Sequence, residues 1–383
     1  MNSERDSRTV LLTLGRLPVA LELARALHGG GWRVLVAEPY AWHLCRLSNS
    51  VHRSFKVTAP AVNEQLYLDE LQVIIEREQV SLVLPVSEEI LYVSALKHRL
   101  PPSVELLCMD QRTLALLQDK YCFARFADKL GLPVPATVLA DNESACRQLT
   151  TLPFVVKPRQ SCAGAGVRFG TAGGALENSE LSDTHVVQQQ LSGIACCSFT
   201  LATTGQTLTS VCYGSLLEAG SVAVCFEQMA VPESISEFIN RIVQATEYSG
   251  MIAFDFIQDD TGVWRAIECN PRSTSGIHFI EHDDLLKGLI RKLPFPSPVK
   301  PVRRQEFWSS LMQVEGALFK GKINASGWKN LFTSKDITLR FPDIKPFVFM
   351  VFILAPQLFQ SIKTRKPMSE LLMSDMVWRG NLP

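Results

Sequence analysis

No pair of the ten cysteines stands in a Cys-x-x-Cys spacing, and none of the seven histidines falls into a spacing that would ligate a metal. A disulfide framework and a structural zinc site are therefore both disfavoured, and reduced, mostly buried thiols are expected. Net charge is also missing: 38 Lys+Arg balance 38 Asp+Glu. Nothing global then calls for nucleic acid as a partner. There is no internal repeat and no low-complexity run. The opening residues, Met1 to Arg8, are polar and charged without an apolar signal region. A cytoplasmic protein is the expectation, with membrane association left open by the C-terminal segment considered below.

What is present is a globular composition, 46% hydrophobic and 20% charged over 383 residues. It is enough for two or three compact units. The charge is unevenly placed. From residue 301 onward there are 12 Lys+Arg against 6 Asp+Glu, a net of +6, so the first 300 residues carry 26 against 32, a net of −6.

The run Thr9 to Leu14 followed by Gly15, helical spacing over Pro18 to Leu27, three glycines at 29–31 and a second apolar run at Arg33 to Ala37 read as β-α-β. Helix 66–78 and strands at 81–85 and 104–108 continue the pattern. The first ~110 residues predict a doubly wound parallel-sheet α/β domain. Its first turn, Gly15-Arg16-Leu17-Pro18, lacks the G-x-G-x-x-G that brings a backbone close to a pyrophosphate, so a nicotinamide dehydrogenase is disfavoured.

Further along, a helix is expected over 112–130, then strands at 154–157, from 167, and at 186–191. An antiparallel pair at 197–204 and 207–213 turns at Gly205. A helix over 235–247 follows. The segments 251–258 and 264–269 form a hairpin around Asp259-Asp260-Thr261-Gly262. On that hairpin Glu268 and Asn270, two residues apart, share a face. The turn can bring Asp255 to them. Two carboxylates and an amide oxygen on one surface suit Mg²⁺ (or Mn²⁺), hard cations that share oxygen ligands with phosphates. Arg272, two positions on, suits a phosphoryl or carboxylate group. Lys157 ends an apolar strand just before the small-residue stretch Ser161-Cys162-Ala163-Gly164-Ala165-Gly166, where backbone N–H groups can approach phosphate oxygens.

These parts, in this order, resemble the ATP-grasp superfamily of ligases, in particular the biotin carboxylase and carbamoyl phosphate synthetase large-subunit branch. The stretches that carry the resemblance are the Gly15 turn, Asp119-Lys120, F-V-V-K-P (154–158), S-C-A-G-A-G-V (161–167), V-V-Q-Q-Q-L-S-G (186–193), F-D-F (254–256) and I-E-C-N-P-R (267–272). The resemblance implies four units. Residues 1–112 would be a pre-ATP-grasp α/β domain. Residues 113–190 would be the small lobe of a two-lobed α+β ATP-grasp domain, and 191–299 its large lobe. Residues 300–383 would form a C-terminal extension.

It also implies roles. Lys120 and Lys157 would contact ATP phosphates, and the loop with Ser161, Gly164 and Gly166 would close over them. Gln188, Gln189 and the backbone of Leu191 would line the adenine. Asp255, Glu268 and Asn270 would bind the metal. Arg272 would stabilise an acyl-phosphate, making Arg272 and Lys157 the catalytic pair. The implied activity joins a small-molecule carboxylate to an amine or amino acid with release of ADP and phosphate. Bicarbonate-activating chemistry and a non-catalytic ATP-binding regulator are the alternatives, and a homodimer stays open. The chain departs from the pattern after Gly193, where Ile194-Ala195-Cys196-Cys197 replaces an acidic residue that reaches the ribose; Glu227 is a substitute. Glu88, Glu89 and His278 are weaker candidates. The first two read equally as carboxylates at a helix N-terminus, and His278 reads as structural.

Residues 347–355 (FVFMVFILA) are wholly apolar, yet shorter than the roughly 20 residues a bilayer requires. With the cations Lys363, Arg365 and Lys366 behind them, they fit either a covering element over the ligase domain or a partner subunit, or a peripheral membrane contact through 347–366. The covering element is preferred.

Overall fold

The computed structural model describes residues 8–161, 164–219, 222–297, 301–319, 325–364 and 368–378. Within the first 106 residues five strands, β1 (Thr9–Leu12), β2 (Arg33–Glu38), β3 (Arg53–Lys56), β4 (Leu82–Leu84) and β5 (Glu105–Leu106), form one parallel sheet in the order β3-β2-β1-β4-β5. Helices α1 (Pro18–Gly29) and α2 (Glu64–Arg77) cover its two faces. Val10 and Leu12 join the α1 core while Leu11 joins the α2 core, as alternation along a strand requires. This is the doubly wound domain expected. Strand β3, Arg-Ser-Phe-Lys at the sheet edge, was not anticipated, because an edge strand with half its residues exposed carries no apolar run.

Helix α3 (Ile90–Val93) closes this part, and α4 (Gln111–Gln118) and α5 (Lys120–Lys129) follow. The single helix expected over 112–130 is thus two. Asp119 leaves the helical conformation and its carboxylate accepts from the N–H groups of Tyr121 and Cys122, which makes it the N-cap of α5. A four-stranded antiparallel sheet comes next: β6 (Thr137–Leu139), β7 (Phe154–Pro158), β8 (Arg168–Gly170) and β9 (His185–Gln189), in the order β6-β9-β7-β8, with α6 (Glu143–Leu149) packed on it. The extended run expected to Leu191 stops at Gln189.

Gly193 carries the chain to the third sheet. Its φ is 152°, and a Cβ there would stand 1.7 Å from the Gln258 carbonyl oxygen, so only glycine lets the backbones cross. The third sheet has β10 (Ile194–Thr203), β11 (Gln206–Ala219), β12 (Val222–Met229), β13 (Gly250–Gln258), β14 (Trp264–Asn270), β15 (Arg303–Gln305) and β16 (Lys335–Asp336), in the order β14-β13-β10-β11-β12-β15-β16. Helix α7 (Glu233–Ala245) packs Phe238, Ile239 and Ile242 on its back with Phe254 and Phe256. Helix α8 (His282–Leu289) sits against α1.

The C-terminal segment contributes β15 and β16 and the helices α9 (Phe307–Phe319), α10 (Ala325–Thr333), α11 (Lys345–Thr364) and α12 (Met368–Met373). It is tied back to the first domain. Arg25 pairs with Asp343 at 2.9 Å, and Arg16 donates two bonds to Asp375 at 2.8 and 3.0 Å. The apolar run at 347–355 lies in α11, which continues through Pro356 to 20 residues and so exceeds the length read from the run alone. One stripe of α11 faces inward; Phe352, Phe359 and Ile362 on the rest of it are 70–71% exposed. Arg365 and Lys366 of the basic cluster lie outside the described residues.

Candidate active site

The β13–β14 hairpin sets the centre of the site. Its register places Asp255 opposite Glu268 and Ala253 opposite Asn270. Paired residues of antiparallel strands project to one face, so both carboxylates and the Asn270 amide gather there. Phe254, Phe256 and Cys269 project behind, into the α7 core, and hold the hairpin flat against it. Asn270 Nδ2 donates to Asp255 Oδ2 at 3.2 Å and to Glu268 Oε1 at 3.4 Å. Burial and the facing Glu268 push the Asp255 carboxyl up to about 7. Burial works against ionisation of Glu268 as well, but Lys120 and Lys157 outweigh it and hold that carboxylate low, at about 2. Two acidic groups in one low-dielectric spot, one forced towards its neutral form by the other, are what a divalent cation would relieve. Among the described residues no cluster of three or more His, Cys, Asp or Glu forms a metal cage, so any ion there would need oxygen atoms beyond these side chains.

Two lysines reach this face from the four-stranded sheet and from α5. The Asp119 cap makes Lys120 the first residue of α5, and Arg159 pins that cap with a 2.8 Å bond to Asp119. Lys120 Nζ then donates to the Ser161 carbonyl at 2.9 Å and stands 3.8 Å from Glu268. Lys157, on β7, is buried and donates to Gln188 Oε1 at 2.9 Å. Burial lowers its pKa, Glu268 and Asp255 work to raise it, and Lys120 adds to the lowering. Gly164 and Gly166, beyond Ser161, take φ of 67° and 73°, left-handed values that suit a tight loop. Cys162 and Ala163 of the same loop lie outside the described residues. Gln188 is turned towards Lys157 and Thr137, whereas Gln189 is on the opposite side of β9 and Leu191 is in the connection to Gly193, both half-buried.

Arg272 is brought in by a partner that sequence spacing does not reveal. Its guanidinium donates to Glu88 at 2.8 Å and to Asn270 Oδ1 at 3.0 Å, and Glu88 is fixed in turn by Gln118 at 2.6 Å. Glu88 thus stands just before α3, where a helix N-terminal carboxylate was expected, and there its bond orients Arg272. Glu89 accepts from Thr13 and from the N–H groups of Val86 and Ser87, stitching the first sheet together. The Gly15 turn is occupied internally: Glu38 accepts the N–H groups of Gly15 and Arg16 at 3.0 and 3.1 Å, where a dinucleotide fold would present them to a pyrophosphate. Glu227 is bonded to Arg303 at 2.7 Å on β12, with three strands between it and β14. His278 is buried, and its Nδ1 lies 2.9 Å from Glu22.

A cavity of about 380 Å³ opens beside the hairpin. Gly164, Asp255, Glu268, Asn270 and Arg272 line it, as do Arg16 and Tyr40 from the first domain and residues of the C-terminal segment. Residues 117–276 match the ATP-grasp domain family. The chain carries an ATP-grasp domain. Solved structures agree with that fold. The chain is similar to N5-carboxyaminoimidazole synthetase from Staphylococcus aureus complexed with ADP, with a TM-score of 0.63 and 16% identity over 82% of this chain and 86% of that one. It is similar to the L-amino acid ligase of Bacillus licheniformis, with a TM-score of 0.55 and 16% identity over 70% and 68%. It is also similar to the biotin carboxylase domain of Hydrogenobacter thermophilus 2-oxoglutarate carboxylase, solved with MgADP and bicarbonate. There the TM-score is 0.57 and the identity 13%, over 70% of this chain and 64% of that one, so this chain spans under two thirds of it. No curated protein sequence matches. The nine cysteines among the described residues are all free and seven of them are buried, in keeping with a role in packing.

Proposed function

We propose that the chain is an ATP-dependent ligase that joins a carboxylate to an amine or amino acid through an acyl-phosphate. The observation that carries this reading is that Lys120 and Lys157 gather on Glu268, which with Asp255, Asn270 and Arg272 lines a cavity of about 380 Å³. The carboxylate oxygen of the acid attacks the terminal phosphorus of ATP, and the bond to ADP breaks. The amine nitrogen then attacks the acyl carbon, phosphate leaves with its bonding pair, and the amine proton is lost to water. No protein nucleophile is required; charge neutralisation and alignment carry such a transfer.

Lys157 and Lys120 present two positive charges to the phosphates, and Gly164 and Gly166 offer backbone N–H groups that a phosphate can approach closely. Asp255, Glu268 and Asn270 would hold Mg²⁺, which neutralises phosphate charge when bound. Arg272, kept in line by Glu88, stabilises the negative charge that grows on the acyl and phosphoryl oxygens.

ADP release over a panel of carboxylates and amines tests the reading. Turnover should appear with at least one pair and vanish in Glu268→Ala. Full activity in that variant, or tight ATP binding without turnover on any pair, would remove it; the second outcome would leave a nucleotide-binding regulator.

For the outer face of α11 we infer a peripheral contact with an anionic lipid surface. Phe352, Phe359 and Ile362 are exposed on it, and between Asp343 and Glu370 the sequence has four cations and no acid. Because its inner stripe packs on the cavity, the helix would lie along the surface and not cross it. Sedimentation with phosphatidylserine vesicles should carry the full chain down and fail for Phe352→Ser/Phe359→Ser; equal sedimentation of both would end this inference.

A further inference from the structure

The cavity has two unlike kinds of lining. Asp255, Glu268, Asn270 and Arg272 are polar. Val224 and Phe226 of β12, Ile337, and Met350, Ile353 and Leu354 of α11 form an apolar wall. The α11 residues are spaced i, i+3, i+4, so they form a single helical stripe turned inward. This wall is built largely from residues beyond 276, outside the matched ATP-grasp segment. The extension that supplies it is seated on the first domain through Arg25 to Asp343 at 2.9 Å and Arg16 to Asp375 at 2.8 Å.

Two polar side chains interrupt the apolar lining. Glu306 and His278 both face this cavity and are 7% and 5% exposed. Glu306 uses Oε2 to accept from the Ser309 N–H at 3.0 Å, and His278 uses Nδ1 on Glu22. Glu306 Oε1 and His278 Nε2 are left without a partner. Buried polar atoms are nearly always paired, and a ligand is one way to complete them.

We propose that the substrate seated here is an α-amino acid with an apolar side chain. Resting on the ligase reading above, this assigns its carboxylate to Arg272, its amine to the unpaired atoms of Glu306 and His278, and its side chain to the α11 stripe. The fit is chemical at each point. A guanidinium N–H donates to a carboxylate, an unpaired carboxyl oxygen accepts an N–H, and a dry aliphatic wall rewards an apolar group. Helix α11 therefore acts as the specificity wall of the enzyme.

The test uses the full chain with MgATP and compares ADP release on glycine, alanine, leucine, phenylalanine, aspartate and lysine. Calorimetric titration of the same amino acids into the protein with MgADP runs beside it. Expected is a rise in kcat/KM of about tenfold or more from alanine to leucine or phenylalanine, the scale of methylene discrimination in an apolar pocket. Leu354→Asp should abolish the preference, and Leu354→Trp should shift it to smaller side chains, with thermal melts confirming that both fold. Glu306→Gln should weaken binding of leucine but not of its des-amino analogue 4-methylpentanoate. Ranked binding that Leu354→Asp abolishes, with no ADP released, supports the pocket and defeats the ligase reading. Turnover without side-chain ranking, or ranking untouched in both Leu354 variants, overturns the pocket and leaves the ligase reading. Equal loss of leucine and 4-methylpentanoate in Glu306→Gln overturns the amine assignment. Absence of both binding and turnover overturns both proposals.

Discussion

Glu306 offers a stability prediction that does not depend on any ligand. It sits immediately before α9, and its Oε2 accepts the Ser309 N–H, a cap that by itself favours the carboxylate. Burial is stronger, and with the nearby negative charge of Asp336 it pushes the carboxyl from 4.5 up to about 7. The folded protein therefore keeps this proton up to about pH 7, whereas the unfolded chain begins to lose it near 4.5. Between those values the native state binds more protons, so stability falls as pH rises, and the fall is complete above about 7. A shift of about 2.5 units corresponds to about 3 kcal/mol. Glu306→Gln keeps an acceptor for Ser309 and has no proton to lose. Its stability relative to wild type should thus climb by about 3 kcal/mol between pH 4.5 and 8. With an unfolding entropy of about 2.1 cal/mol/K per residue, that is about 4 °C in Tm for a cooperative transition of this chain. Melting both proteins without ligand at pH 5, 6, 7 and 8 reads the difference. A constant offset would reflect only the exchanged hydrogen bonds. Parallel curves across the range would refute the reasoning, because the carboxyl would then be as well solvated folded as unfolded.

Glu88→Gln should lower kcat by about 10- to 100-fold with ATP affinity unchanged, since a misaligned Arg272 harms the transition state more than nucleotide binding; single-turnover kinetics with separate ATP titration checks this, and an unaltered kcat would show that Glu88 positions nothing. Lys157→Ala should raise KM for ATP chiefly, measured at saturating second substrate; a pure kcat effect would move Lys157 from binding to chemistry. Arg16→Met strands the fully buried Glu38 and frees Asp375, and one-sided loss of a buried pair costs about 3–5 kcal/mol. Its melting point should fall well below that of Asp375→Ala, whose carboxylate is more exposed, and equal melting points would contradict the pairing.

Local periodicity determined a good part of this protein directly from its sequence. Alternation along 264–270 already puts Glu268 and Asn270 on one face, because side chains of a strand can only alternate. Asp255 comes opposite Glu268 only through the register shift between Asp255 and Phe256, since regular pairing from Gln258 and Trp264 would set it against Ile267. The β-α-β pattern at the start needs a parallel sheet for the same kind of reason, and the strand ending in Lys157 was legible from its apolar run. The break at Asp119 could have been read from its capping chemistry, although an uninterrupted apolar spacing through 112–130 masks it. Tertiary structure alone decided the rest. Glu88 and Arg272 meet across 184 residues, Arg16 and Asp375 across 359, and no spacing rule links positions so far apart. Gln188 was placed by its sequence neighbours on the right strand, but its bond to Lys157 depends on how β9 and β7 lie side by side. The apolar run at 347–355 announced that something must be buried or covered. Which face of α11 turns inward, and what it encloses there, follows only from the packing of the whole C-terminal segment against the first domain, where distant apolar and charged groups satisfy one another at once.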